Sequence, residues 1–317
     1  MENIICPDKY REITKDNIVV RKKVYDWLYI LDNVNITYMY LIIGEEKALL
    51  FDTGYGFTDF RPLIAEVTDK PLTVVCSHGH DDHVLGCRFY EEAWLSPRDF
   101  ELCEANNNPV QKGKQILAVA QSTPGFEKLV DEDEYCNTDL AACTFRPLED
   151  GQVFDLGGIT LKVYAVPGHT SGSVALYSPE KKAVFSGDFL MRNHHVIYSQ
   201  SLKISAEPQE FIHGLTRLSE LDVESVWPAH GDVPIDAGVI AETREMLIDW
   251  ANNADYEKEK PKGPPPKNKI FGDPNDPQPA KYYYKNCSLN YHPGHLLQIR
   301  TYMLRHGGAV EIGGDEV

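Results

Sequence analysis

Leu72-Thr73-Val74-Val75-Cys76-Ser77-His78-Gly79-His80-Asp81-Asp82-His83 is the stretch from which the rest of the chain can be read. Leu72–Cys76 is a continuous apolar run too short for a helix, which predicts a buried strand. It empties into three histidines and an aspartate at 78, 80, 83 and 82, so these side chains are expected on a strand-end loop. Alternate residues of an extended loop project to one side. His78 and His80 would then reach one cation, and Asp82 and His83 a neighbouring one. Imidazole nitrogen and carboxylate oxygen suit Zn²⁺, and a catalytic site would keep one position open for water.

Outward from this stretch, Ile36–Ile43 and Lys47–Asp52 read as a hairpin turning at Gly44-Glu45-Glu46 and ending in Phe51-Asp52-Thr53-Gly54. A helix fits Asp59–Val67. A second half repeats the plan, with strands expected at Ile159–Val166, Val174–Ser178, Ala183–Ser186 and Ser225–Trp227, and helices at Gln209–Leu221 and Asp236–Ala251. Two such halves, sheets face to face and helices outside, make an α+β fold, a four-layer αββα sandwich. The strand-end loops of both halves would then meet at one edge. Residues 1–252 are expected to form this domain. The stretch 97–148, where periodicity weakens and Asp131-Glu132-Asp133-Glu134 is acidic, reads as a solvated surface insertion. Seven prolines between Tyr256 and Pro279 mark residues 253–281 as a linker or strap, and the apolar residues of 282–317 predict a segment that docks, over the pocket, on the back of the sandwich or in a homo-oligomer.

Composition excludes several classes. A net charge of −17, from 31 basic and 48 acidic residues, repels a phosphate backbone, so nucleic acid is not expected as a partner. No apolar run approaches the roughly 20 residues that cross a bilayer, so no membrane association is expected either. The start, Met1 to Arg11, lacks a basic stretch followed by an apolar one, and the seven cysteines are odd in number with no Cys-x-x-Cys pair. Both features point to a cytoplasmic protein with reduced thiols.

His78–His83 matches the HxHxDH signature of the metallo-β-lactamase superfamily, and further stretches resemble its motifs in order. Pro167-Gly168-His169-Thr170-Ser171-Gly172-Ser173 resembles the second histidine loop, Phe185-Ser186-Gly187-Asp188 the loop with a bridging carboxylate, and Pro228-Ala229-His230-Gly231 the last ligand loop. The resemblance implies one metal on His78, His80 and His169, a second on Asp82, His83 and His230, and Asp188 bridging. Two Zn²⁺ are the expected cofactors, with Fe or Mn as alternatives. Asp52 is expected to orient a ligand by hydrogen bonding. A water shared by two cations would be acidified towards about pH 7 and attack a carbonyl, with Asp82 as proton shuttle.

Asp188 makes the chain similar to glyoxalase-II-like and lactonase-like members, since true β-lactamases typically lack that carboxylate. Met191 departs from the Tyr that quorum-lactone hydrolases place there, and the basic glutathione-binding positions of glyoxalase II are missing from the tail. The expectation is therefore a hydrolase of an ester, lactone or thioester of a small organic molecule. His194, His195 and Tyr198, just after the bridging acid, are candidate substrate contacts. Two alternatives carry the same motifs: an iron oxygenase of persulfides with a mononuclear site, and a non-enzymatic binding scaffold.

Overall fold

A computed structural model describes residues 12–192, 195–196, 206–260, 262, 280–285 and 287–305. Seven strands form the first sheet in chain order: β1 (Val19–Tyr25), β2 (Leu28–Asn33), β3 (Thr37–Ile43), β4 (Ala48–Phe51), β5 (Leu72–Val75), β6 (Glu92–Leu95) and β7 (Thr144–Pro147). The second sheet starts from β8 (Val153–Asp155), β9 (Thr160–Ala165), β10 (Val174–Ser178) and β11 (Ala183–Gly187). Past the short β12 (His195–Val196), it ends with β13 (Ser225–Pro228) and β14 (Ile235–Asp236).

The layering follows from strand parity, because successive side chains of a strand leave opposite faces. On β4, Leu49 and Phe51 join the cluster between the sheets, whereas Ala48 and Leu50 face outward. On β10, Val174 and Leu176 go inward, Ala175 and Tyr177 outward. Both faces are covered, so these strands read as continuous apolar runs rather than alternating ones. Tyr40, Phe185 and Trp227 centre the inner layer, with ring centroids 5.2 to 6.3 Å apart.

Helices close the outer layers. Outside the first sheet lie α1 (Arg61–Ala65), α2 (Asp81–Val84), α3 (Phe100–Asn106), α4 (Pro109–Ser122) and α5 (Glu132–Asn137). Outside the second lie α6 (Pro208–Ser219), α7 (Gly238–Asn253) and the short α8 (Tyr256–Glu259). The four-layer αββα sandwich is thus observed as expected. No described helix is long and apolar enough to cross a membrane.

One expectation needs correction. The stretch 97–148 is not merely solvated. It folds into α3, α4 and α5 and buries Leu102, Cys103, Ile116, Val119, Phe126, Tyr135 and Leu140. Its polar look arises because each helix wets one face, and only the other reaches the core. The tail docks, as its apolar residues predict. β15 (Ala280–Tyr284), β16 (Cys287–Tyr291) and α9 (Pro293–Arg305) pack on the helices outside the second sheet, burying Tyr282, Leu289, Tyr291, Leu296 and Ile299. This is the back of the sandwich. One edge of the tail pairs elsewhere: β16 runs parallel to β12, His195 opposite Leu289.

Candidate metal centre

The two sheets are joined by backbone hydrogen bonds along one edge. Val174 N–H donates to Ser77 O at 2.8 Å and Tyr38 N–H to Ala229 O at 2.8 Å. Gly187 has φ +52°, and a Cβ there would lie 2.6 Å from the Ser77 side chain. Only glycine permits that approach of the second-half loop to the first. Here the expected residues converge. His78 Nε2 lies 2.9 Å from His80 Nδ1, which lies 2.9 Å from His169 Nε2. His230 Nε2 lies 3.2 Å from both Asp82 Oδ2 and Asp188 Oδ1. His83 Nε2 is 3.4 Å from Asp82 Oδ1 and 3.5 Å from Asp188 Oδ1. Asp188 Oδ2 reaches across to His169 Nε2 at 3.4 Å.

These atoms form three overlapping sets, His78/His80/His169, His78/His83/Asp188 and Asp82/His83/His230, each with its donor atoms within 4.8 Å. His83 Nε2 and Asp188 Oδ1, central to the arrangement, are buried without a hydrogen-bond partner. Buried polar atoms are ordinarily satisfied. A donor set of imidazoles and carboxylates with orphaned atoms facing one another is what a cation would satisfy, so the residues fit a metal.

The route by which Asp82 and His83 arrive differs from expectation. His80 is extended, at φ −72° and ψ 156°, but it caps the helical turn α2, which carries Asp82 and His83. A turn of helix, not an alternating strand, presents them, and it brings the His83 ring to 4.0 Å from the His78 ring between centroids. Asp81, next to the ligand candidate Asp82, is partly buried. Its carboxyl is pushed up to about 7 by burial and by the neighbouring Asp82 charge.

Supporting contacts hold the imidazoles. Asp52, in the left-handed region at φ 68°, accepts from Ser77 N–H at 2.6 Å and Ser77 Oγ at 2.8 Å, and its Oδ2 lies 2.8 Å from His83 Nδ1. His230 Nδ1 lies 2.7 Å from Ile36 O, so that nitrogen donates and Nε2 is left for the centre. Thr37 Oγ1 donates to Asp82 Oδ2 at 2.8 Å.

One residue was missed by the sequence reading. Asp99, fully buried, accepts from Gly79 N–H at 2.8 Å, Thr170 Oγ1 at 2.6 Å and Gly172 N–H at 2.7 Å. Gly172 is small because a Cβ would sit 2.6 Å from Asp99 Oδ1. A single carboxylate from the 97–148 stretch therefore ties the His78–His80 loop to the His169 loop. Nothing in Pro97-Arg98-Asp99 distinguishes it from a surface acid.

Electrostatics divide the centre in two. Burial and neighbouring imidazoles lower His78 well below the usual value and His80 to about 3, leaving both neutral with lone pairs available. Around Asp82 and Asp188 burial acts against ionisation, but His83 and His230 outweigh it and hold both carboxyls well below the usual range. Burial likewise opposes the charged forms of His83 and His230, yet the carboxylates raise both well above the ordinary imidazole value. His80, Asp82, His169, Asp188 and His230 remain partly exposed, so the centre opens to solvent on that side.

Of the expected substrate contacts, His194 and Tyr198 lie outside the described residues. His195 is described only as backbone, in β12.

The family model described as Metallo-beta-lactamase superfamily matches residues 32–94 and 144–260. The unmatched interval between them is the helical stretch that carries Asp99. Among curated proteins, the Beta-lactamase-like protein 2 homolog of Caenorhabditis elegans is 24% identical over 202 residues, 62% of this chain and 56% of that protein. The chain thus spans little more than half of that relative. The Acyl-coenzyme A thioesterase MBLAC2 of Homo sapiens is 25% identical over 210 residues, 61% of this chain and 72% of that protein. Among solved structures, a metallo-beta-lactamase family protein from Thermus thermophilus aligns with a TM-score of 0.52 at 20% identity, covering 74% of this chain and 80% of that one, a likeness of fold.

Proposed function

Since the chain belongs to the metallo-beta-lactamase superfamily, we propose that it is a metal-dependent hydrolase of a small-molecule thioester. The observation that carries this is the convergence of His78, His80, Asp82, His83, His169, Asp188 and His230 from both halves on one solvent-facing edge. The resemblance to a protein named as an acyl-coenzyme A thioesterase supports thioesters over the ester and lactone alternatives.

His78, His80 and His169 would hold one cation, Asp82, His83 and His230 a second, with Asp188 between them. When bound, such cations acidify a shared water towards about pH 7 and polarise the scissile carbonyl. The chain's own groups supply the rest. Thr37 Oγ1 fixes the Asp82 carboxylate through Oδ2, in the orientation from which Asp82 relays the attacking water's proton towards the departing thiolate. Asp52 locks the His83 ring, and Ile36 O locks His230, so neither imidazole has to reorient during turnover.

The test is metal analysis of protein purified without chelator, together with thiol release from acyl thioesters. About two zinc per chain, activity lost to a chelator and restored by Zn²⁺, is the expected result. One iron per chain with no thiol release would replace this reading with the mononuclear oxygenase.

A further inference from the structure

A cavity of about 550 Å³, within the size range of small-molecule pockets, lies against the β2–β3 turn. Its walls come from three places: Glu12 and Ile13, the β2–β3 turn at Val34, Asn35 and Ile36, and the segment Ser122 to Leu129 that follows α4. None belongs to the metal ligand set. The turn nevertheless joins the cavity to that set, because Ile36 O receives His230 Nδ1 and the next residue, Thr37, donates to Asp82 Oδ2. On the far side, Phe126 packs on Phe57, and Phe57 on Tyr55, with ring centroids 4.9 Å apart in both pairs.

The shape of this wall is held at a cost. Val34 has φ 53° and is fully buried, a left-handed conformation that is an outlier for a β-branched residue. Such strain persists where the surroundings over-determine it, commonly at ligand sites. Among the described residues the lining carries one acid, Glu12, and no lysine or arginine, in a chain of net charge −17. Among these described residues a phosphate-bearing arm would meet no counter-charge. Ile13, Ile36 and Leu129 offer apolar surface to the cavity, Val34 and Phe126 lie fully buried behind it, and Asn35, Ser122 and Thr123 add polar groups.

We infer that this cavity is the specificity pocket for the uncharged acyl chain of the substrate, on the His230 and Asp82 side of the centre. The inference rests on the thioesterase reading. It assigns the segment 122–129 a role in substrate choice, in the interval that the family model leaves unmatched.

Thr123→Trp, which places an indole at the cavity wall, tests it in the metal-loaded full chain. Across acyl thioesters of N-acetylcysteamine from acetyl to decanoyl, the ratio of kcat/KM for decanoyl to that for acetyl should fall at least tenfold. A ratio unchanged by the variant overturns the pocket while leaving the thioesterase reading intact. Absence of turnover in the parent protein overturns that reading instead, and the pocket is then judged by calorimetry with the non-hydrolysable decanoyl amide analogue. Binding to the parent, weakened at least tenfold in Thr123→Trp at equal metal content, supports the pocket. Absent or equal binding rejects it.

Discussion

Among single residues, Asp99 and Asp188 carry the sharpest expectations. Asp99→Ala would strand the buried Gly79 and Gly172 amides and leave the Thr170 hydroxyl with Ser173 Oγ. An unpaired buried donor costs about 1–3 kcal/mol, and loss of a group that orients ligands lowers metal affinity about 10–100-fold. Chelator competition on Asp99→Ala should show that weakening, whereas Glu101→Ala, two residues away on the exposed face, should not. Asp188→Ala should release metal from both positions, because its two oxygens face His169 on one side and His83 and His230 on the other. Full metal stoichiometry in that variant would end the bridging assignment. His78, His80, Asp82 and His83 were legible because spacing and residue type carry the chemistry locally. Asp99 was not, since its role exists only once Gly79 and Gly172, distant in sequence, are brought to its two oxygens.

Elements were read well where period and burial agree and poorly where length is short. β9, β10, β11 and β13 fall within a residue or two of their expected positions, as does α7, because apolar runs and amphipathic periodicity mark them directly. α2 is a four-residue turn that no periodicity can announce, and it redirects Asp82 and His83. The same limit hid the helices of 97–148, whose apolar faces are narrow. In the tail, composition indicated docking but not the surface. Tyr291 decides it: fully buried, it sits 5.4 Å from the Trp250 ring and donates to Glu259 at 2.7 Å. Tyr291→Ala should destabilise by about 3–5 kcal/mol, the range for large buried aromatics, measured by denaturant unfolding. Truncation after Trp250 would bare Ile240, Met246 and Trp250, and the shortened chain is expected to be insoluble rather than a soluble enzyme with one lost contact.

For the whole molecule, the four layers were legible because two halves of similar pattern, each with strand-end polar loops, admit few ways to bury both sheets. What pattern alone does not supply is the joint between the halves. His78, His80, Asp82 and His83 come from the first half and His169, Asp188 and His230 from the second, so a bound cation links them and favours the folded state by mass action. At free metal 100 times its Kd the gain is about 2.7 kcal/mol. Chelation should therefore lower the thermal midpoint by several degrees, and the loss should be recovered on adding Zn²⁺. A midpoint indifferent to chelator would mean that the halves are held by the backbone bonds of the shared edge alone. The parallel pairing of β12 with β16 sets the order of events as the chain leaves the ribosome. His195 and Leu289 are about ninety residues apart, and such distant pairings close late. The nascent sandwich has both its sheets before β16 is synthesised, while the stretch following Asp188 still waits for a neighbouring strand. Completion of that flank comes after both sheets are in place, and a polypeptide stalled before Cys287 would hold all seven metal-seeking side chains yet lack the partner of β12.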